Sequence, residues 1–252
     1  MRTFGLIGYP LSHSFSKKYF TEKFEKEGIE NTVYELFPLE TIDAFPELIK
    51  STPNLVGLNV TIPYKQAVMP FLDELDPKAE AIGAVNTIKL ENGKLKGYNT
   101  DYIGFKESLI KFVGPNPMPQ QALILGTGGA SKAVQVTLED LGISYQFVSR
   151  KSADNQLTYD EITSSPHHLA TSSLIVNTTP LGMSPNIEDL PDLPYKQLTP
   201  NHFLYDLVYN PLITAFMQKG IDANCWVKNG LEMLHGQAEA AWKVWNKSTN
   251  PN

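Results

Sequence analysis

Cysteine is nearly absent: the 252 residues hold one, Cys225. One thiol closes no internal disulfide and builds no cysteine-based zinc site, so a reducing, cytoplasmic setting is expected. Long apolar runs are absent too. The opening MRTFGLIGYP has only a few apolar residues before Gly8 and Pro10, too few for a signal-peptide core. No other stretch approaches the ~18 residues of a membrane span, and no membrane partner is expected. Positive charge is not in surplus. Lys and Arg number 21 against 27 Asp and Glu, for a net charge of −6, and the basic residues are scattered. That excludes a nucleic-acid footprint but leaves room for a small phosphorylated ligand, which needs only one or two local cations. The five histidines, His13, His167, His168, His202 and His235, show no metal-ligand spacing with carboxylates or thiols, so no metal is expected. There is no internal repeat and no low-complexity tract.

What is present is an ordinary globular composition, 42% apolar and 19% charged, in a chain long enough for one large domain or two modest ones. Residues 3–8 read as a short buried strand. A helix follows over 17–27, with Tyr19, Phe20 and Phe24 at helical spacing and Gly28 as its stop. The pattern predicts a strand over 32–39, a helix over 42–51 with Pro46 in its first turns, and a strand over 55–62. The segment 94–101 leads into a helix over 102–113, and GPNPMP (114–119) is a loop. Then come strand 121–126, helix 132–141, strand 145–150, helix 158–164, strand 173–179, strand 202–208 and helix 211–219. An amphipathic helix over 230–246 ends in a frayed tail. Regular alternation of strand and helix implies an α/β fold with parallel sheets.

One turn carries a ligand signature. ALILGTGGAS (122–131) is an apolar strand running into Gly126, Thr127, Gly128, Gly129 and Ala130, with a helix starting near Ser131. Such a turn lets backbone approach a pyrophosphate, and the helix start offers free N–H groups. A tight turn without a ligand is the competing reading. The next strand ends in Ser149, Arg150 and Lys151, where an NAD site would place a carboxylate for the ribose 2′-OH. Arg150 can grip a 2′-phosphate with two parallel hydrogen bonds, so NADP is favoured over NAD. A solvated loop charge is the alternative.

With this half read, other motifs fall into order: GYPLSHSFS (8–16), NVTIPYK (59–65), GAVNT (83–87), GYNTD (97–101), GTGGAS (126–131), NTTPLGM (177–183), DLVYNP (206–211) and NGLEMLHGQ (229–237). Together, and over nearly the whole length, the chain resembles the shikimate dehydrogenase family. The resemblance implies two α/β domains with a cleft between them. An N-terminal substrate domain with a mostly parallel sheet would span 1–100 and a Rossmann-like NADP domain 101–229. The C-terminal helix, 230–252, would return to the substrate domain. It implies reversible NADPH-dependent reduction of 3-dehydroshikimate to shikimate, a step of aromatic amino-acid biosynthesis. By similarity Ser14 and Ser16 bind the substrate carboxylate. Thr61, Asn86, Asp101 and Gln237 contact ring oxygens, Tyr209 touches substrate, and Val208 and Gly230 line the nicotinamide end. Lys65 is the acid/base, paired with Asp101. The family usually has Asn where this chain has Ser149, and its first motif commonly reads GNP rather than GYP, so Tyr9 has no assigned role.

The chemistry is coherent residue by residue. Hydride delivery to a ketone creates an alkoxide, which a nearby donor relieves, and a lysine is ordinarily protonated at neutral pH. On an extended segment Ser14 and Ser16 point the same way and offer two O–H donors to a carboxylate; the alternative is a helix-capping turn with Ser16 as N-cap. Asp101 reads equally as the N-cap of a helix from Tyr102. Asn86 reads as a buried amide serving backbone groups, and Gln237 as a polar residue on a half-buried helix face. Trp242 and Trp245 suit packing on the chain's own first domain or on a second chain, so monomer and homodimer both remain. The rival activities are quinate or dual quinate/shikimate dehydrogenase, and a non-catalytic sensor on the same scaffold.

Overall fold

The structure, a computed structural model, describes residues 1–11 and 14–247; the expectations for His13 and for a frayed tail beyond Lys247 fall outside the described residues. Contacts divide the chain into two compact units: Met1–Thr100 with the chain from Ala238, and Asp101–Gln237. The second division falls inside the last helix, after Gln237. No helix among the described residues is long and apolar enough to cross a membrane.

The first unit is built on six strands: β1 (Arg2–Gly8), β2 (Thr32–Pro38), β3 (Leu55–Val60), β4 (Glu74–Leu75), β5 (Thr87–Glu91) and β6 (Lys94–Tyr98), in the order β2-β1-β3-β5-β6-β4. The β1–β2, β1–β3 and β4–β6 pairs are parallel, whereas β5 runs antiparallel to both β3 and β6. The β5–β6 hairpin departs from the alternating pattern the sequence suggested. Its signal was local: Asn92 and Gly93 have φ values of 52° and 76°, the left-handed pair that closes a two-residue hairpin. Helices α1 (Phe15–Lys26), α2 (Phe45–Ser51), α3 (Tyr64–Ala67) and α4 (Pro77–Ile82) complete the unit.

Strand β1 is buried on both faces, as a central strand with crossovers on each side must be. Ile7 joins Leu58, Val60, Tyr64, Val68, Val85 and Ile88 on one side. Phe4 and Leu6 face Phe20, Phe24, Tyr34, Ala238, Ala241 and Trp245 on the other. The two tryptophans therefore pack on this chain's own sheet: Trp245 Nε1 donates to Ile88 O at 3.0 Å, and the Trp242 ring lies 5.4 Å from Phe4, edge to face.

The second unit carries β7 (Gln121–Leu125), β8 (Ser144–Ser149), β9 (Gln156–Thr158), β10 (Leu174–Asn177), β11 (Phe203–Asp206) and β12 (Trp226–Lys228). Their order is β12-β11-β10-β7-β8-β9 and every pair is parallel, the doubly wound arrangement of dinucleotide-binding domains. Its helices are α5 (Thr100–Val113), α6 (Gly129–Asp140), α7 (Tyr159–Ser164), α8 (Pro166–Thr171), α9 (Ala215–Asp222) and the first turns of α10 (Leu231–Asn246). Helix α9 starts later than the 211–219 the sequence suggested, because Thr214 caps it by accepting from Met217 N at 3.2 Å. One core layer gathers Phe105, Leu109, Val134 and Leu138 on Ile124, Val176 and Tyr205; the opposite layer sets Ile162, Leu169 and Phe216 on Leu123, Ile175 and Leu204.

Candidate active site

In the first unit the candidate residues collect where β1 and β3 end. Thr61 follows β3 and is tied to β1 by Thr61 N donating to Ile7 O at 2.9 Å. Two residues on, the chain turns into the single turn of α3. Tyr64 fixes that turn: its ring is buried in the core and its hydroxyl donates to Leu39 O at 2.6 Å. Lys65 is the next residue, half-buried, and its carbonyl accepts from Val85 N at 2.7 Å. The bent strand end thus sets the lysine backbone on a clamped turn rather than on a loose loop.

Asn86 is 3% exposed and its Oδ1 accepts from Thr100 N at 2.7 Å and from Thr87 and Thr100 Oγ1 at 3.1 Å each. Behind it, Asn59 Nδ2 donates to Thr87 Oγ1 at 3.2 Å and Tyr34 OH donates to Asn59 Oδ1 at 2.8 Å. Burial holds the Tyr34 phenol far above its ordinary pKa, with a hydrogen bond involving Ser16 acting the other way, so it stays a neutral donor. This buried network fixes the amide of Asn86 through its oxygen, and Nδ2 makes no hydrogen bond among the described residues.

Two expectations change here. Ser14, not Ser16, caps α1: its Oγ accepts from Lys17 N at 3.3 Å, and Ser16 lies inside the helix. The two hydroxyls are not on one extended segment, because the helix begins at Phe15, immediately after Ser14. Likewise α5 begins at Thr100, so Asp101 sits within its first turn instead of capping it. A carboxylate there is favoured by the positive end of the helix.

In the second unit the glycine-rich turn lies at the carboxyl end of β7, at the switch point between β7 and β10. Gly126 has φ +99°, and a Cβ there would come within 2.9 Å of Thr179 Cγ2; the turn closes only with glycine. Helix α6 starts at Gly129, earlier than the sequence suggested, and its N-cap Gly128 supplies no side-chain cap. As at any helix start, the N–H groups of Gly129 and Ala130 have no intrahelical acceptor, while Ser131 N turns back to Gly128 O at 3.1 Å. A cavity of about 440 Å³ opens beside the turn, lined by Gly126, Thr127, Gly128, Ser149 and Arg150 among others. Gly129, Ala130 and Lys151 do not line it; Lys151 is exposed, its N–H turned back to Ser149 Oγ at 3.4 Å. The glycine backbone, the uncapped helix start and the guanidinium in one cavity fit a phosphorylated dinucleotide.

Val208, Tyr209 and Gly230 sit at the carboxyl ends of β11 and β12, outside that cavity. Gly230 N donates to Val208 O at 3.1 Å, and a Cβ on Gly230 would fall 2.1 Å from Leu207 O. Tyr209 is 39% exposed. Gln237 is 8% exposed, and its Nε2 donates to Leu234 O at 3.0 Å. No cluster of three or more metal-ligating side chains occurs among the described residues.

Sequence reasoning missed the opposite wall of the cavity, made by Thr178, Thr179, Pro180 and Leu181. It also missed the carboxylate behind that wall. Asp206, fully buried, accepts from Asn177 Nδ2 at 2.9 Å and Val208 N at 3.0 Å on Oδ1, and from Thr214 Oγ1 at 2.6 Å on Oδ2. Burial pushes its carboxyl up to about 6, against the pull of those three donors. The available signals were NTTPLGM and DLVYNP, whose strand-end positions implied a role that neither motif names.

The family profile described as the shikimate dehydrogenase substrate binding domain matches residues 6–88. A shikimate dehydrogenase (NADP(+)) of Clostridium beijerinckii is 41% identical over 98% of this chain and 93% of its own length. One of Desulforamulus reducens is 36% identical over 98% of this chain and 90% of its own. The crystal structure of shikimate 5-dehydrogenase from Thermus thermophilus, in complex with NADP(H) and shikimate, superposes with a TM-score of 0.82 at 30% identity, covering 98% of this chain and 94% of that one.

Proposed function

The chain belongs to the shikimate dehydrogenase family, and on that premise we propose that it is an NADP-dependent oxidoreductase interconverting 3-dehydroshikimate and shikimate, a step of aromatic amino-acid biosynthesis. The observation that carries the cofactor assignment is the cavity in which the Gly126–Gly128 turn and Arg150 face the same space. When bound, NADP(H) supplies or takes up the hydride. The α6 N–H groups at Gly128, Gly129 and Ala130, with Thr127, hold the pyrophosphate. Ser149 and Arg150, on the cavity lining, hold the 2′-phosphate where a carboxylate would repel it, and Lys151, outside the lining, adds only its nearby charge. Val208 and Gly230 form the nicotinamide end.

On the substrate side, Ser14 and Ser16 hold the carboxylate, the first hydroxyl on the cap of α1 and the second two residues further in. Asn86 offers its Nδ2, already oriented through the bonds to its oxygen, to a ring hydroxyl. Thr61, Gln237 and Tyr209 complete the polar contacts. Lys65 gives a proton to the ring oxygen on reduction and takes it back on oxidation, with Asp101 sharing in that transfer. The single thiol supports a cytoplasmic setting, and the enzyme acts as monomer or homodimer on a small-molecule substrate.

The test is NADPH consumption with 3-dehydroshikimate, run beside Lys65→Ala. Wild-type turnover, with turnover of the variant cut at least ~100-fold and substrate binding largely kept, is expected. Binding of both ligands without wild-type turnover would instead mark a sensor. Faster oxidation of quinate than of shikimate would overturn the substrate assignment.

A further inference from the structure

The ends of β10 and β11 and the start of α9 share one buried group. Oδ1 of Asp206 takes Asn177 Nδ2 and Val208 N; Oδ2 takes Thr214 Oγ1, which also caps α9 at Met217 N. Asn177 passes the link on. Its Oδ1 accepts from Thr179 N at 3.0 Å and Thr179 Oγ1 at 2.6 Å, and Thr179 Oγ1 accepts from Leu181 N at 3.3 Å. Val208 O in turn accepts from Gly230 N. One side chain therefore sets both the 178–181 wall of the cavity and the 207–209 turn.

Among the described residues no cationic side chain bonds this carboxylate, and each of its bonds there comes from a neutral donor. A buried carboxylate without a cation is a costly way to fill space. What it alone provides is acceptance from three converging donors on two oxygens. An asparagine keeps one acceptor oxygen for Asn177 and Val208 and reverses the third bond, its amide donating to the Thr214 hydroxyl oxygen, whereas an alanine removes all three.

We propose that Asp206 is a positioning residue for the cofactor: it touches neither reactant and holds the Thr178–Leu181 wall and the Val208 backbone where the dinucleotide binds. This rests on the NADP reading above. Loss of Asp206 frees Asn177 to rotate, which releases Thr179, and leaves Val208 N without its acceptor. The substrate residues Ser14, Thr61 and Asn86 are held by bonds of their own and do not depend on it, whereas Tyr209, on the 207–209 turn, does.

The experiment measures dissociation constants of NADP⁺ and of shikimate, separately, for wild type, Asp206→Ala and Asn177→Ala at neutral pH. Asn177→Ala keeps the carboxylate and cuts only its link to Thr179, so it carries the test if Asp206→Ala does not fold. We expect NADP⁺ binding weakened by about tenfold or more in each variant, with shikimate binding within about twofold of wild type in Asn177→Ala, which leaves the Asp206–Val208 bond in place, and weakened less than NADP⁺ binding in Asp206→Ala. Unchanged NADP⁺ binding in variants that fold, or equal loss for both ligands, overturns the proposal, the second outcome meaning a merely structural carboxylate. A wild type that does not bind NADP⁺ would fail the cofactor reading instead, which separates the two.

Discussion

Asp206→Asn isolates the pH dependence of a single buried carboxyl. Its pKa is raised from 3.8 to about 6, burial being the largest cause. A folded-state pKa above the unfolded one means that folding takes up a proton between the two values. The contribution to stability is complete below about pH 3.8 and is lost as pH rises through about 6. Between about pH 7.5 and pH 4.5 that contribution grows by about 2 kcal/mol. The Tyr195 phenol, which feels this carboxylate, is pushed above its ordinary range by burial first and then by Tyr159, Asp206 and Asp192, so it does not titrate in this window. Other carboxyls titrate alike in wild type and variant and cancel in the difference. Urea unfolding followed by circular dichroism, at several pH values for both proteins, gives that difference directly. Wild type should gain on the variant steadily as the solution is acidified. A gap that stays flat, or that closes toward low pH, would refute the reasoning that burial outweighs the three donors.

Arg150→Gln should weaken NADP⁺ binding by about 1.5–3 kcal/mol while leaving NAD⁺ binding nearly unchanged; calorimetric titration of both nucleotides decides, and equal losses would remove Arg150 from the 2′-phosphate. Trp245→Phe keeps an aromatic ring in the first core but strips Ile88 O of its indole donor. It should cost about 1–2 kcal/mol and lower the thermal midpoint by roughly 2–8 °C, and an unmoved midpoint would show that bond to be dispensable. Thr158 and Glu161 form a reciprocal cap on α7, and the Glu161 carboxyl is held below its usual range by the Thr158 backbone N–H first and its hydroxyl second. Thr158→Ala should raise the Glu161 titration midpoint seen by NMR without carrying it all the way to an exposed glutamate's value.

Local pattern carried some parts of this molecule well. The run QALIL, the glycines after it and the Arg150 that ends the next strand are each recognisable from a few neighbouring residues, because apolar periodicity, backbone freedom and charge are short-range properties. The Asn92–Gly93 turn was equally local, and the hairpin it closes follows from it. Ser14 and Ser16 were legible as candidates, yet which one caps α1 turned on a helix boundary, and a boundary shift of one or two residues exchanges their roles.

Pairs far apart in sequence belong to the fold alone. Asp206 meets Asn177 across 29 positions and Trp245 meets Ile88 O across 157. Neither pair has a spacing that a helix or strand period would mark. The sequence by itself determined the chemistry available, the glycine turn and the alternation of strand and helix, since those depend on neighbours a few residues away. Only the tertiary structure decided the strand orders, the antiparallel strand beside β3 and the carboxylate tying two strand ends to the start of α9. Those depend on which chain segments are brought into contact, and burial there converts an ordinary aspartate into a group with an altered pKa and a fixed set of donors.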